Sequence, residues 1–182
     1  ILNPGCRFFD KRIGQSTTLS GRAIAKHMDA YVNECITGEY DHLGKAIIYG
    51  DTDSAYFSAY PMVKEQIEKG ELEWNKDFAI KLYDSIAEKV NESFPDFMKD
   101  AFNCPRKNGE IIVGGREMVA SKGLFITKKR YALLYYDIEG FRTDTGESPG
   151  KIKAMGLDLK RSDTPKIVQA VSYTHLTLPT IY

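Results

Sequence analysis

Two aspartates one residue apart, Asp51 and Asp53, sit in the string Tyr49-Gly50-Asp51-Thr52-Asp53-Ser54. An apolar run, Ala46-Ile47-Ile48, leads in, and a strand-like run, Ala55-Tyr56-Phe57-Ser58-Ala59, leads out. The pattern predicts a hairpin over residues 45–59 with both acids at its tip. In an extended chain residues i and i+2 point to one face, so the two carboxylates can converge. Converging carboxylates repel unless protonated or bridged by a cation. A hard divalent ion, which prefers oxygen ligands, is the simplest bridge.

A second chemically suggestive group is cationic. Lys128, Lys129 and Arg130 precede Tyr131. Lysines hold phosphates without reading sequence, although such a triplet is equally at home in a solvated turn. Alternation along 128–131 puts Lys129 and Tyr131 on one face. Arg116-Glu117 offers either an auxiliary carboxylate ligand at Glu117 or an ordinary cross-strand ion pair. His27 falls within a helical pattern and His42 in a loop, and both read as structural. Cys6, Cys35 and Cys104 have no metal-ligand spacing and are expected as reduced thiols.

The elements that must position these groups follow from periodicity. Residues 16–37 predict a helix with Ser16 or Thr17 as cap, Ile24, Met28, Tyr31 and Cys35 as its apolar stripe, and Gly38 as its end. Pro61 closes the hairpin region. Phe78, Leu82, Ile86 and Val90 mark a second amphipathic helix, broken near Pro95. Residues 111–120, 122–127 and 130–137 are rich in strand formers, and 144–150 is a loop. Ser162-Asp163-Thr164-Pro165 reads as a helix start with Thr164 as cap. Helices interleaved with antiparallel strands predict an α+β fold rather than a doubly wound parallel sheet.

Composition narrows the class. With 182 residues and 42% hydrophobic content the chain can build a core. No apolar stretch reaches the roughly 20 residues of a membrane span, and no signal peptide is visible. The overall charge of zero conceals a net +1 in residues 1–50, −6 in 51–103 and +5 in 104–170. An acidic middle beside a basic end suits a metal site next to a polyanion-binding surface, and ordinary solvated helix faces would give the same pattern.

A D-x-D pair by itself also occurs in solvated turns, glycosyltransferases and phosphatases. The full string at 49–54, however, resembles motif C of the family B DNA polymerases. The likeness extends along residues 1–170. Arg7-Phe8-Phe9-Asp10 with the helix that follows resembles the segment after that family's nucleotide-binding helix. Lys128-Lys129-Arg130-Tyr131 resembles its K-K-R-Y element. Lys151-Ile152-Lys153-Ala154-Met155-Gly156 resembles the run leading to the thumb, and Ser162-Asp163-Thr164-Pro165-Lys166 resembles the thumb's first helix. Order and spacing are most similar to the polymerases of T-even-like phages and cyanophages.

The resemblance implies an antiparallel palm sheet bearing a catalytic β-hairpin and packed by helices. Residues 1–160 would be the C-terminal palm and 161–170 the start of the thumb. Residues 171–182 resemble a translated sequencing adapter and are set aside as a non-native tail. The implied activity is DNA-directed nucleotidyl transfer to a primer 3′-hydroxyl, with two Mg2+ ions about 4 Å apart. Asp53 and Asp51 would be catalytic; Asp53, Asp51, Thr52 through its backbone, and Glu117 would surround the metals. Asp51 can alternatively cap its own turn. Tyr49 would lie beside the primer terminus, where its other role is strand packing. Lys128, Lys129, Arg130, Tyr131 and Lys153 would touch duplex DNA. Implied partners are primer–template DNA, a dNTP and, in a full-length protein, a sliding clamp; the implied location is the cytoplasm of an infected bacterium. The family's first catalytic aspartate and exonuclease domain are expected before Ile1, so the segment alone is expected to be inactive. Two other readings remain: a non-catalytic nucleic-acid-binding module using the basic segment, and a glycosyltransferase using Asp51 and Asp53.

Overall fold

The structure is a computed structural model, described here for residues 3–145, 148–157 and 165–167. The chain divides into two compact units, Ile1–Gly114 and Gly115–Tyr182. Helices and antiparallel sheets make it α+β, as the sequence predicts. Among the described residues no helix is long and apolar enough to cross a membrane, and the three cysteines are free.

The first unit opens with α1, Lys11–Thr37. Its cap is Asp10, whose carboxylate accepts the Arg12 N–H at 2.8 Å, rather than Ser16 or Thr17. Thr17 lies inside the helix and donates its hydroxyl back to the Ile13 carbonyl at 2.9 Å, a local bond typical of helix-interior threonine. Gly38 ends α1 at φ 82, where its N–H reaches the Glu34 carbonyl, as glycine's freedom at positive φ predicts. The hairpin follows as β1 (Ile47–Asp51) and β2 (Ser54–Phe57). Pro61 then does more than close the hairpin: it occupies the first turn of a helix the sequence reading lacks, α2 (Tyr60–Glu68), where its missing N–H costs nothing.

Helix α3, Lys76–Phe102, starts at Asn75, which accepts the Phe78 N–H. Ile86, Val90 and Phe94 form the core with Val32 and Ala59, and Ile24, Met28, Tyr31, Leu82 and Phe57 pack around them. Pro95 does not break α3. Proline removes one intrahelical bond, yet α3 continues through it to Phe102. The short helix α4 (Arg106–Gly109) packs there so closely that a Cβ on Gly109 would lie 2.9 Å from the Pro95 Cα. One turn earlier, Asn91 grips both backbone groups of Gly114, donating to its carbonyl at 3.0 Å and accepting its N–H at 2.7 Å. That grip explains why residues 111–117, rich in β formers, are not a strand. Ile112 packs on the core while Ile111 and Val113 are exposed, and no neighbouring strand pairs with them among the described residues.

The second unit is one antiparallel sheet. β3 (Met118–Thr127) pairs with β4 (Arg130–Ile138), and β4 also pairs with β5 (Phe141–Arg142) and β6 (Lys151–Met155). The two expected strands around residue 121 are one strand, whose register shifts between Ala120 and Lys122. Residues 131–134 of β4 are all buried, and because successive strand side chains point to opposite faces, both faces are covered there, which is why that run is continuously apolar. Asp137 is only 1% exposed and accepts from Arg116 and from the Gly140 N–H at 3.2 Å, fixing the β4–β5 turn. Of the expected helix at the chain's end, Lys166 and Ile167 are helical. Thr164, residues 161–163 and residues 168–182 lie outside the described residues.

The segment 38–46 delivers β1, and a single side chain organises it. Asn33, 1% exposed, donates to Thr37 Oγ1 at 3.0 Å and to the Glu39 carbonyl at 2.8 Å, and accepts the Ala46 N–H at 3.2 Å. Gly44 leaves the room: a Cβ there would fall 2.0 Å from Asn33 Cγ. Asn33→Ala strands buried backbone groups and is expected to cost about 2–3 kcal/mol. Gly44→Ala should cost at least as much by displacing the amide. Urea denaturation checks both; a loss below about 0.5 kcal/mol, the level of an ordinary surface change, would refute the role.

Candidate active site

The acids are where the sequence places them along the chain, at the tip of an antiparallel hairpin. Asp51 pairs with Ser54, Gly50 with Ala55 and Tyr49 with Tyr56, leaving Thr52 and Asp53 as the turn. The register shifts between Ile47 and Tyr49, and Ile48 is exposed. The Tyr49 and Tyr56 rings meet at 5.4 Å, so Tyr49 packs across the strands.

Simple alternation does not govern the two acids. Thr52 has φ 53, in the left-handed region that a β-branched residue rarely enters. The Asp53 N–H closes back on the Asp51 carbonyl at 2.6 Å, and Ser54 Oγ donates to the same carbonyl at 3.1 Å. Thr52 Oγ1 donates to Asp51 Oδ1 at 3.2 Å. The i, i+2 rule presumes extended backbone, and Thr52 interrupts it. Asp51 is thus half-buried and braced by its own turn, whereas Asp53 is exposed at the tip. Among the described residues no group of three or more His, Cys, Asp or Glu is placed to hold a metal ion.

Sequence reasoning passes over a third carboxylate beside this hairpin. Asp29 of α1 brings Oδ2 to within 3.8 Å of the point where a Cβ on Gly50 would sit. Its Oδ1 is buried and finds no hydrogen-bond partner among the described residues. Burial pushes its pKa up to about 6, with His42 pulling weakly the other way. The nearest sequence signal is an acid between the apolar positions Met28 and Ala30. His27, read from sequence as structural, is a hub: it meets Tyr40 Oη at 2.7 Å and Ser93 Oγ at 2.9 Å, and stacks on Phe97 at 4.0 Å.

The cationic group belongs to the second unit. Thr127 pairs with Arg130, making Lys128 and Lys129 a two-residue turn between β3 and β4. Lys129 has φ 61, so alternation does not relate it to Tyr131, which lies in β4. Tyr131 is 6% exposed and stacks on Phe125 with ring centroids 5.8 Å apart. The β4–β6 register sets Tyr131 opposite Met155 and Leu133 opposite Lys153, which gives Tyr131 and Lys153 a common face. Glu117 is ion-paired: Lys153 Nζ reaches its Oε1 at 2.7 Å. Arg116 turns instead to Asp137.

The two buried ionisable groups of α1 make opposite contributions to acid stability. Burial lowers the His27 pKa, so the unfolded chain takes up that proton first and stability falls as pH drops below about 6.5. Asp29 is raised, so the folded chain holds a proton that the unfolded chain releases. Its stabilising contribution is present at low pH and lost as pH rises through about 6. Asp29→Asn, uncharged throughout, should therefore melt a few degrees above the wild type at pH 8, with a narrower gap at pH 5 that closes only below the ordinary carboxylate value of 3.8. Thermal unfolding at both pH values decides, and an equal gap at the two would rule the burial effect out.

No family model matches the chain. It is 30% identical over 174 residues to the DNA-directed DNA polymerase of Escherichia phage RB69, covering 90% of this chain and 18% of that protein. It is 28% identical over 179 residues to the DNA-directed DNA polymerase of Enterobacteria phage T4, covering 90% and 19%. The DNA polymerase of Methanocaldococcus jannaschii is 26% identical over 166 residues, covering 91% of this chain and 7% of the relative. The chain thus spans less than a fifth of the length of the relatives it matches. Over nine-tenths of its length the chain is thus similar to one part of the DNA-directed DNA polymerases of these two phages.

Proposed function

We propose that this segment supplies the motif C half of a nucleotidyl-transfer site together with a duplex-DNA surface. The observation that carries this reading is the hairpin bearing Asp51 and Asp53 at its tip, within a chain similar to DNA polymerases over 90% of its length. Residues 1–160 then belong to the palm, and residues 161–170 begin the thumb.

The donor set fits a hard divalent ion such as Mg2+: two carboxylates and the backbone carbonyl of Thr52 are all oxygen. A bound ion of this kind supplies Lewis-acid stabilisation to the oxygens around a phosphorus under attack. The chain's own residues do the positioning. Asp53, exposed and projecting from the tip, is the better placed ligand. Asp51, hydrogen-bonded within its turn, holds the local charge and orients the tip. Glu117, tied to Lys153 in the second unit, takes a structural ion pair rather than a ligand role. Further ligands come from the motif A aspartate that the family resemblance implies. Tyr49 stiffens the hairpin against the primer end, and the triphosphate of a dNTP is the anionic substrate.

Lys128, Lys129 and Arg130 hold the phosphates of primer–template DNA without reading bases, which suits an enzyme that must copy any sequence. Lys153 continues that surface, and Tyr131, buried against Phe125, backs it from within. A sliding clamp and the bacterial cytoplasm are the partner and setting of the full-length enzyme in this reading.

In a full-length polymerase containing this segment, Asp53→Asn should lower kcat by about a thousandfold or more while the Kd for primer–template stays within about threefold. Single-turnover extension and equilibrium binding separate the two. A comparable loss of binding would assign Asp53 to folding, and undiminished synthesis would overturn the reading. The isolated chain should extend no primer at any Mg2+ or Mn2+ concentration.

A further inference from the structure

We infer that Gly156 is a positioning residue for the Lys128–Lys129 tip, holding it in the geometry that engages duplex DNA. The inference rests on the reading above that this tip binds DNA. It goes further by assigning the tip's conformation to a residue more than twenty positions away in sequence.

The contact is between backbones. Gly156 follows the last residue of β6 and has φ 62. A Cβ there would lie 2.1 Å from the Lys129 carbonyl oxygen, 3.1 Å from the Lys129 carbonyl carbon and 3.0 Å from Arg130 Cγ. Two of those atoms are main chain, so no side-chain rotation makes room. The positive φ independently disfavours any other residue. The Gly156 carbonyl also accepts a hydrogen bond from Arg130 Nε at 3.1 Å. Glycine is therefore required twice at one position, once for space and once for conformation.

The effect on the tip follows. Lys129 itself sits at φ 61, a conformation that costs a non-glycine residue about 1 kcal/mol or more. On one side the Thr127–Arg130 pair closes the turn. On the other, Gly156 fits against the Lys129 carbonyl and anchors Arg130. The two lysine Cα positions are thereby fixed relative to Tyr131 and Lys153, whose strands are paired directly below. A cationic tip fixed in this way can meet successive phosphates together. A loose one would meet them one at a time and lose more entropy on binding.

The test is fluorescence anisotropy of a labelled primer–template duplex with this chain across a salt series. Four proteins are compared: wild type, Lys128→Ala/Lys129→Ala, Gly156→Ala and Arg130→Lys. Arg130→Lys keeps the charge and inserts no atom near Lys129, but removes the Nε donor. Gly156→Ala is expected to weaken binding about tenfold and to flatten the slope of log K against log salt by about one phosphate contact, with Arg130→Lys shifting both in the same direction by less. A simple loss of folded protein would lower the active fraction without flattening the slope, and circular dichroism measures that fraction. If the double lysine variant binds like wild type, the DNA-binding reading of the tip fails and this inference with it. If the double variant loses binding while Gly156→Ala keeps wild-type affinity and slope, the reading stands and the role of Gly156 is overturned. Should Gly156→Ala not fold, Arg130→Lys decides: an unchanged affinity and slope overturn the inference.

Discussion

Two-residue hairpin turns favour backbone in the left-handed region, and at the acidic and basic tips of this chain the residues that enter it carry side chains. Thr52 stands at φ 53 between the two acids, and Lys129 at φ 61 in the basic tip. Glycine would relieve both turns, but glycine would also loosen them. The local strain, of order 1 kcal/mol each, is held by bonds around it. At the first tip three hydrogen bonds converge on Asp51. At the second, β3, β4 and Gly156 enclose Lys129. Strained backbone supported on several sides is characteristic of sites whose geometry matters.

Behind each tip lies a support of a different kind. The acidic hairpin rests on α1 and on the loop that Asn33 threads into β1, so it depends on satisfied polar groups in a mainly apolar core. The basic hairpin rests on a sheet in which β4 is buried on both faces. Charge follows the same division. Among the described residues, the first unit buries a carboxylate oxygen of Asp29 without a hydrogen-bond partner, close to the hairpin. The second buries a carboxylate at Asp137 that Arg116 and Gly140 satisfy. Removing one partner of such a buried pair costs far more than the pair contributes.

The elements that periodicity reveals were legible: α1, α3, the acidic hairpin and the continuous apolar strand β4. What the sequence concealed has identifiable causes. Pro95 reads as a breaker, yet α3 runs through it to Phe102. Residues 111–113 read as a strand, because β-branched side chains say nothing about whether a neighbouring strand exists. Ser16 and Thr17 read as caps, since only the hydrogen bond from Arg12 to Asp10 distinguishes the true start. The site was legible as a motif but not as a geometry. Asp51 and Asp53 were found by spacing, yet the extended-chain argument for their convergence fails at Thr52. Lys129 and Tyr131 fail to alternate for the same reason. Asp29 and Gly156 were invisible, because each matters only through a contact with another element.

The pairing scheme of the second unit has a consequence for the order in which it forms. β3 and β4 are joined by a two-residue turn, so their ladder can zip from a local start. β6 reaches β4 only after a loop is closed between Met155 and Tyr131, and longer loops cost more entropy to close. The basic tip is therefore made early, but it is locked only when the last strand arrives. During synthesis from the N-terminus, the lysines would emerge as a mobile hairpin and become a rigid surface after residue 156 has left the ribosome. Order at the tip thus reports that the whole sheet is complete.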